Sequence, residues 1–362
     1  MQTRLILLGA GKIGEAIVAL LSASGDYAIT VADADPQRLA QIEQANFANT
    51  TTQLADVADP QALGALIRGH HVTLSACPFF LTPVIAAAAL AAGSHYFDLT
   101  EDVQSTRVVK ELARHASTAF VPQCGLAPGF ISIVANDLAQ RFDSLRDVHM
   151  RVGALPIYPS NALKYNLTWS TDGLINEYCN SCEAIVDGQL RETSPLEEVE
   201  HFSLDGIDYE AFNTSGGLGT LCDSLAGRVA NLNYKTVRYP GHRDIVKILV
   251  RDLQLGLPER RHILRDLLEA SIPMTRQDVV LVFVSVCGMR GGRLEQESYA
   301  KKIYSRVVDG MLLSAIQLTT AAGICAMVDL LVHRQLPQQG LIRQEDTALA
   351  DFLGNRFGSY YA

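Results

Sequence analysis

The chain carries no excess of positive charge. Thirty Lys and Arg stand against thirty-nine Asp and Glu over 362 residues, a net charge of −9, and no dense basic run interrupts the balance. Nucleic-acid binding needs a positive stripe that displaces counterions, so that partner class is excluded. An uninterrupted lipid-compatible segment is missing too. The most apolar long stretch, residues 312–332, includes Gln317, Thr319, Thr320 and Asp329. About 20 residues facing lipid rarely carry that polarity, so we expect a buried core helix and no membrane partner. The N-terminal run to Leu8 is short and passes into a glycine turn bearing Lys12, without a small-residue cleavage site, which argues against a secretory leader. Cysteine is sparse: seven residues, scattered and odd in number, with one Cys-x-x-Cys at Cys179–Cys182 and no second pair at zinc spacing. We therefore expect no disulfide framework, no metal and a cytoplasmic setting. Repeats and low-complexity linkers are absent.

What is present is an ordinary globular composition, 48% hydrophobic and 19% charged, at a length suited to two domains of roughly 150 residues. The first 125 residues alternate short apolar runs with helical patterns. Residues 4–8, 28–32, 72–76, 96–99 and 119–121 read as buried strands, and 14–22, 36–44, 60–67, 83–92 and 103–115 as helices. Asp35-Pro36, Asp59-Pro60 and Thr82-Pro83 are helix-start signals. Such alternation predicts a doubly wound parallel sheet, a Rossmann domain of the α/β class. After Gly129 the strands become alternating and longer, at 148–152, 165–169, 199–204, 208–212 and 279–286, with helices near 218–225, 242–253 and 259–270. We expect an α+β domain over 129–311 with a mixed or antiparallel sheet, inserted into a first domain of residues 1–128 whose C-terminal helices, 312–362, return to it.

Gly9-Ala10-Gly11-Lys12-Ile13-Gly14 follows the first strand and opens a helix. Gly9 permits a tight turn, Gly11 lets a pyrophosphate approach the backbone, and Gly14 lets helix and strand pack closely. The phosphates then lie on the exposed amides of the helix N-terminus. Asp33 ends the second strand nineteen residues after Gly14, where a carboxylate accepts hydrogen bonds from a ribose diol. With Asp33 and Asp35 against a single nearby base, Arg38, the expected dinucleotide is NAD, with NADP the alternative. Ligands of such sheets lie beyond the carboxyl ends of the strands, which adds Asp56, Ala76, Cys77, Pro78, Leu99, Gly125 and Pro128 to the expected cofactor contacts.

Beyond that fingerprint, the Gly125-Leu126-Ala127-Pro128-Gly129 turn, Tyr165-Asn166, Trp169, Gly173-Leu174, Tyr178, Glu210-Ala211-Phe212, Thr214-Ser215-Gly216-Gly217 and the run Lys235 to His242 together resemble the saccharopine dehydrogenase-like family, most closely its lysine 6-dehydrogenase members. The resemblance spans roughly residues 4 to 335. It implies an oxidoreductase that acts on the side-chain amine of a lysine-like amino acid through an imine, with the second domain binding substrate and pairing subunits into a homodimer. A saccharopine-type opine reductase acting on a secondary amine is the alternative within the family. A dinucleotide-binding redox sensor without turnover is the alternative outside it. Thr100-Glu101-Asp102 departs from the small glycine-rich stretch that the lysine enzymes carry there.

The chemistry sets demands of its own. Making a lysine ε-amine neutral at pH 7 costs roughly 4–5 kcal/mol, so a base or a desolvating pocket is required. His242, at a helix start after Pro240-Gly241, is the first candidate base, and Glu101 and Asp98 are the next. A substrate carboxylate needs a fixed cation or an amide nest, which Arg238 and the Thr214-Ser215-Gly216 stretch can supply. Tyr165 and Trp169, four apart, would share one face of a strand and wall the substrate's methylenes.

Overall fold

The structure is a computed structural model and describes residues 2–362. The chain divides into two compact units: Met1–Phe130 with Val307–Leu313 and Gln317–Ala362, and Ile131–Arg306 with Ser314–Ile316.

The first unit opens with β1 (Thr3–Leu8), α1 (Lys12–Ser24), β2 (Tyr27–Asp33), α2 (Pro36–Ala45), β3 (Thr50–Leu54) and α3 (Pro60–Ile67). It continues with β4 (Val72–Ser75), α4 (Thr82–Ala92), β5 (His95–Asp98), α5 (Val103–Ala113) and β6 (Ala119–Val121). Asp35 and Asp59 cap α2 and α3 by accepting from the N–H groups of Gln37 and Gln61, with proline in each first turn. Thr82 is not a cap, because a 3-10 turn over Phe79–Leu81 carries the chain directly into α4. The strands pair in parallel in the order β6-β5-β4-β1-β2-β3. The direction of winding reverses between β1 and β4, and the crevice at their carboxyl ends is where such sheets hold ligands. Apolar residues from both strands and helices fill the core, among them Ile6, Leu8, Leu63, Ile85, Tyr96 and Phe120. The sequence reading missed β3: its Thr-Thr-Thr-Gln-Leu run lies at the sheet edge, largely exposed, so no apolar pattern marks it.

The second unit runs from α6 (Phe130–Ala139) through β7 (Ser144–Pro156), α7 (Thr171–Cys179), β8 (Cys182–Val186), β9 (Gln189–Thr193), β10 (Glu200–Leu204) and β11 (Ile207–Asn213). Then come α8 (Leu221–Ser224), β12 (Asn231–Arg238), α9 (His242–Lys247), α10 (Arg261–Ser271), β13 (Asp278–Arg290) and β14 (Arg293–Tyr304). The mixed sheet has the order β10-β11-β12-β7-β13-β14, with the β8–β9 hairpin joined to β12. Only β7 and β12 run parallel. Residues 165–169 are not a strand. They form an irregular segment, held by a bridge from Leu167 to Met274 and by Leu167 N–H and Asn166 Nδ2 donating to the carbonyl of Pro273, because Tyr165, Leu167 and Trp169 pack into a core built with α7, α9 and α10. The helix expected over 218–225 shortens to α8, and α9 passes into a π-helical turn at Ile248–Asp252.

A small hairpin, β15 (Arg306–Val308) and β16 (Met311–Leu313), leads to α11 (Ala315–Val332), the apolar stretch noted above, which is 89% buried. β17 (Gly340–Leu341) adds to the free edge of β6, and α12 (Leu349–Gly354) follows. Asp329 on α11 ties this return together. Its carboxylate accepts from Tyr27 Oη, Asn355 Nδ2 and Arg356 Nη2 at 2.6–2.8 Å, so the buried charge is fully satisfied.

Candidate active site

In the first unit, the Gly9–Gly14 loop bridges β1 and α1 at the point where β1 meets β4. Gly9 has φ +102°, and a Cβ there would lie 2.8 Å from the carbonyl oxygen of Ala76. A Cβ on Gly14 would lie 2.0 Å from the carbonyl oxygen of Gly9. Around Gly11, at the N-cap of α1, a Cβ would meet nothing within 4 Å. The loop is thus tight where strand and helix touch and open where an anionic group would approach the amides. That is the steric pattern a bound dinucleotide requires.

Asp33 is largely buried and turned into the loop. Its Oδ2 accepts from the N–H of Ala10 at 2.7 Å and its Oδ1 from the N–H of Asp35 at 2.8 Å. Arg38, with its side chain 54% exposed, sits 3.8 Å from Asp33 Oδ2 and 3.4 Å from Asp35 Oδ2. The carboxylate is therefore engaged with the backbone and faced by a cation. Asp56 lies exposed after β3, accepting from the N–H of Ala58. Burial and the charge of Asp33 push the Cys77 thiol up to about 12, so it stays protonated.

Asp98, at the end of β5, is 1% exposed. Its Oδ1 accepts from the N–H groups of Thr100 and Gln123 at 3.0 and 2.9 Å, pinning the loops that follow β5 and β6. Its Oδ2 and the buried Tyr96 hydroxyl face each other, and desolvation raises the carboxyl to about 6 despite the Gln123, Thr100 and Tyr96 donors. Asp102 caps α5, accepting from the N–H of Ser105 at 2.7 Å, while Glu101 and Leu99 stand on the same loop, half-buried. Thus one of the two additional carboxylates beyond Asp98 serves the helix. The Gly125–Gly129 turn closes on itself: a Cβ on Gly129 would lie 2.0 Å from the carbonyl oxygen of Gly125, and Pro128 is cis. Gly323 of α11 backs the same turn, with room for no side chain before the carbonyl oxygens of Cys124 and Gly125. An isolated glycine inside an apolar helix is its only trace in the sequence.

In the second unit, Arg238 ends β12 and is 3% exposed. Its guanidinium carbon lies 5.0 Å from the ring centroid of Tyr165, a cation–π contact strengthened by desolvation. Nε–H donates to Tyr178 Oη at 3.1 Å and Nη1 to the carbonyl of Val237 at 2.8 Å. Glu177, next to Tyr178 on α7, is the acidic charge that favours the Arg238 cation. Among the described residues, Asn166 Oδ1 and Thr214 Oγ1 are buried without a hydrogen-bond partner, while the buried Tyr165 hydroxyl faces Thr168 and Trp169. Buried polar atoms are normally satisfied, so Asn166 Oδ1 and Thr214 Oγ1 are exceptions within the unit that also buries Arg238.

The other expected residues fare differently. Ser215 is committed to α7, its N–H and Oγ donating to the carbonyls of Glu177 and Asn176, and Gly216 only turns the chain at φ +86°. Trp169 packs at the border of the core. His242 is 1% exposed, with Nδ1 2.9 Å from the carbonyl of Leu163 and Nε2 3.0 Å from Tyr178 Oη. Desolvation and the charge of Arg238 depress it to about 3. A base must show a lone pair to the substrate, and both nitrogens of His242 are engaged inside the fold. Sequence reasoning assigned no role to Tyr178, Glu177 or Thr168. Tyr178 shares the α7 face of Leu174 and Ile175, and that spacing reads as core.

A parallel sheet carrying a glycine loop suited to a dinucleotide, and a second mixed-sheet unit with a buried arginine, define a two-unit architecture with a Rossmann-like first unit. Residues 5–121 match the saccharopine dehydrogenase NADP binding domain, and residues 125–355 the saccharopine dehydrogenase C-terminal domain. The chain belongs to the saccharopine dehydrogenase family. It is 23% identical to the saccharopine dehydrogenase [NADP(+), L-glutamate-forming] of Saccharomyces cerevisiae, over 69% of this chain and 58% of that protein. It is 20% identical to the mitochondrial alpha-aminoadipic semialdehyde synthase of Rattus norvegicus, over 72% of this chain and 29% of that protein. The chain therefore spans 58% or less of the length of these two curated relatives. The apo saccharopine dehydrogenase (L-Glu forming) structure from S. cerevisiae shares its fold, with a TM-score of 0.77 at 17% identity and 97% of each chain covered.

These findings overturn the expectation of NAD. The matched domain is an NADP-binding one, and the yeast relative is named for NADP(+). The local charge agrees with NADP: Asp33 accepts from the N–H groups of Ala10 and Asp35, and exposed Arg38 stands beside both Asp33 and Asp35, a cation where the 2′-phosphate of NADP would need one.

Proposed function

We propose that the protein is an NADP-dependent dehydrogenase that oxidises the side-chain amine of an amino acid, whose carboxylate Arg238 holds, to an imine, with hydride passing to NADP. Water then hydrolyses the imine to a semialdehyde and releases the nitrogen as ammonia or an amine. The observation that carries this reading is the buried Arg238 guanidinium against the Tyr165 ring, in the same unit as the unsatisfied Asn166 and Thr214 oxygens. The Gly9–Gly14 loop, with Arg38 beside Asp33, is suited to NADP, which supplies the hydride acceptor. Asp98, buried beside Tyr96 and raised to about 6, is the group we assign to proton exchange, since an acid–base group works best near ambient pH. A homodimer, tested by sedimentation equilibrium, is part of the proposal, and a monomer would remove it.

The charge inventory favours a substrate with a single carboxylate at this place, as in a lysine 6-dehydrogenase. Arg151 and Lys235, the other buried cations of the unit, are both paired with Glu200, while Arg191 and Arg228 are exposed. A saccharopine-type reaction is the second reading, favoured by Lys164, which neighbours Tyr165 and bonds only to the carbonyl of Pro240. The test is NADPH formation with lysine, ornithine, diaminobutyrate and saccharopine at alkaline pH, where more amine is neutral. Turnover of lysine supports the first reading, and turnover of saccharopine alone supports the second. Tight NADPH binding with no turnover of any amine would refute both and leave a dinucleotide sensor.

A further inference from the structure

The chain of contacts behind Arg238 has a fixed direction. Arginine Nε–H can only donate and a peptide carbonyl can only accept. The proton order is therefore forced: Arg238 Nε–H to Tyr178 Oη, Tyr178 O–H to His242 Nε2, and His242 Nδ1–H to the carbonyl of Leu163, at 3.1, 3.0 and 2.9 Å. Only the neutral Nδ1–H imidazole completes it. A second ring proton would face Tyr178 Oη, which already accepts from Arg238, and would bring a second positive charge to a dry site. Phe212 stacks on the imidazole at 12° and Tyr165 and Tyr178 meet it edge-on, so the ring cannot turn away.

We propose that His242 is a positioning residue: through Tyr178 it fixes the orientation in which Arg238 presents its guanidinium to the substrate carboxylate. This rests on the reading of Arg238 given above. The titratable and charged groups facing the imidazole and its relay are Arg238, Tyr165, Tyr178, Tyr234 and Glu177. His242 thus acts on binding, through an acceptor lone pair that never reaches the substrate.

The test compares His242→Phe, His242→Gln and Tyr178→Phe in the full chain, using lysine and saccharopine as probes. Losing one acceptor behind a charged donor should raise KM about 10-fold, with kcat changed less than about threefold. The double variant that combines His242→Phe with Tyr178→Phe should be no worse than either single, because the links are in series. Glutamine, whose amide oxygen can accept from Tyr178, should recover part of the loss. NADPH affinity should not move. A fall in kcat of about 100-fold at constant KM, with loss of a pH limb near 6–7, would make His242 a general base and overturn the proposal, as would additive effects in the double variant. A crystal structure of His242→Phe gives an answer independent of substrate: a guanidinium that keeps its place refutes positioning, and one that turns supports it. If wild type accepts no amino acid, the reading of Arg238 fails, and this structure still decides whether His242 sets the guanidinium's orientation.

Discussion

The two units prepare for charge by opposite means. The first offers main-chain amides at an open glycine, with Asp33 turned into the loop and Arg38 exposed beside it and Asp35. The second relies on side chains: a dry guanidinium held by a tyrosine, an imidazole and an aromatic ring. A main-chain site tolerates many side-chain changes but no added Cβ at its tight points. A buried side-chain site tolerates neither the loss of a partner nor a change of protonation.

Breaking the first site most severely calls for Gly14→Ala, whose Cβ would lie 2.0 Å from the Gly9 oxygen. Fluorescence titration should show NADPH affinity falling by more than about 100-fold, and a fall of under threefold would contradict the close-packing argument.

Acid tests the second site next. The folded pKa of His242, about 3, lies below its ordinary 6.5, so the unfolded chain binds the extra proton between those values. Stability should fall as pH drops through that window, on the order of 5 kcal/mol in all, and His242→Phe should flatten the curve measured by urea unfolding. Asp98 in the first unit has the opposite sign. Its pKa is raised from 3.8 to about 6, so the native state holds the extra proton, and stability declines as pH rises from 4 to 6 by about 3 kcal/mol. Asp98→Asn, which keeps an acceptor for Thr100 and Gln123, should abolish that decline. An unchanged profile would remove Asp98 from the titrating set.

Arg238→Ala sharpens the contrast between units. KM for the amino acid should rise about 100-fold while NADPH affinity stays within twofold. A loss shared by both ligands would mean that the two sites are not separable. The smallest effect is expected for Arg38→Ala: NADPH binding about 10-fold weaker with NADH unchanged, since a guanidinium beside Asp33 acts only on the 2′-phosphate. Equal weakening of both cofactors would show that Arg38 merely braces the loop.

Local rules explain why so much of the first unit is legible. Gly9, Gly11 and Gly14 constrain backbone within six residues, Asp35 and Asp59 cap helices within three, and the strands are buried on both faces. Where burial fails, as at exposed β3, the pattern fails with it. The second unit is harder to read because its chemistry joins distant positions: Leu163, Tyr178, Arg238 and His242 meet only through packing. The strand expected over 165–169 illustrates the point, since alternation there serves a sideways packing against helices.

The sequence by itself determined the doubly wound unit, the dinucleotide loop and the family, because each rests on neighbours along the chain or on a pattern spread over its whole length. The tertiary structure alone decided the state of individual groups. It turned Asp33 inward and left Arg38 exposed, and it made His242 a neutral acceptor where sequence offered a base. Desolvation, charge proximity and hydrogen-bond direction depend on what surrounds an atom in space, and those surroundings come from distant residues, 79 positions away for His242 and Leu163 and 302 for Asp329 and Tyr27.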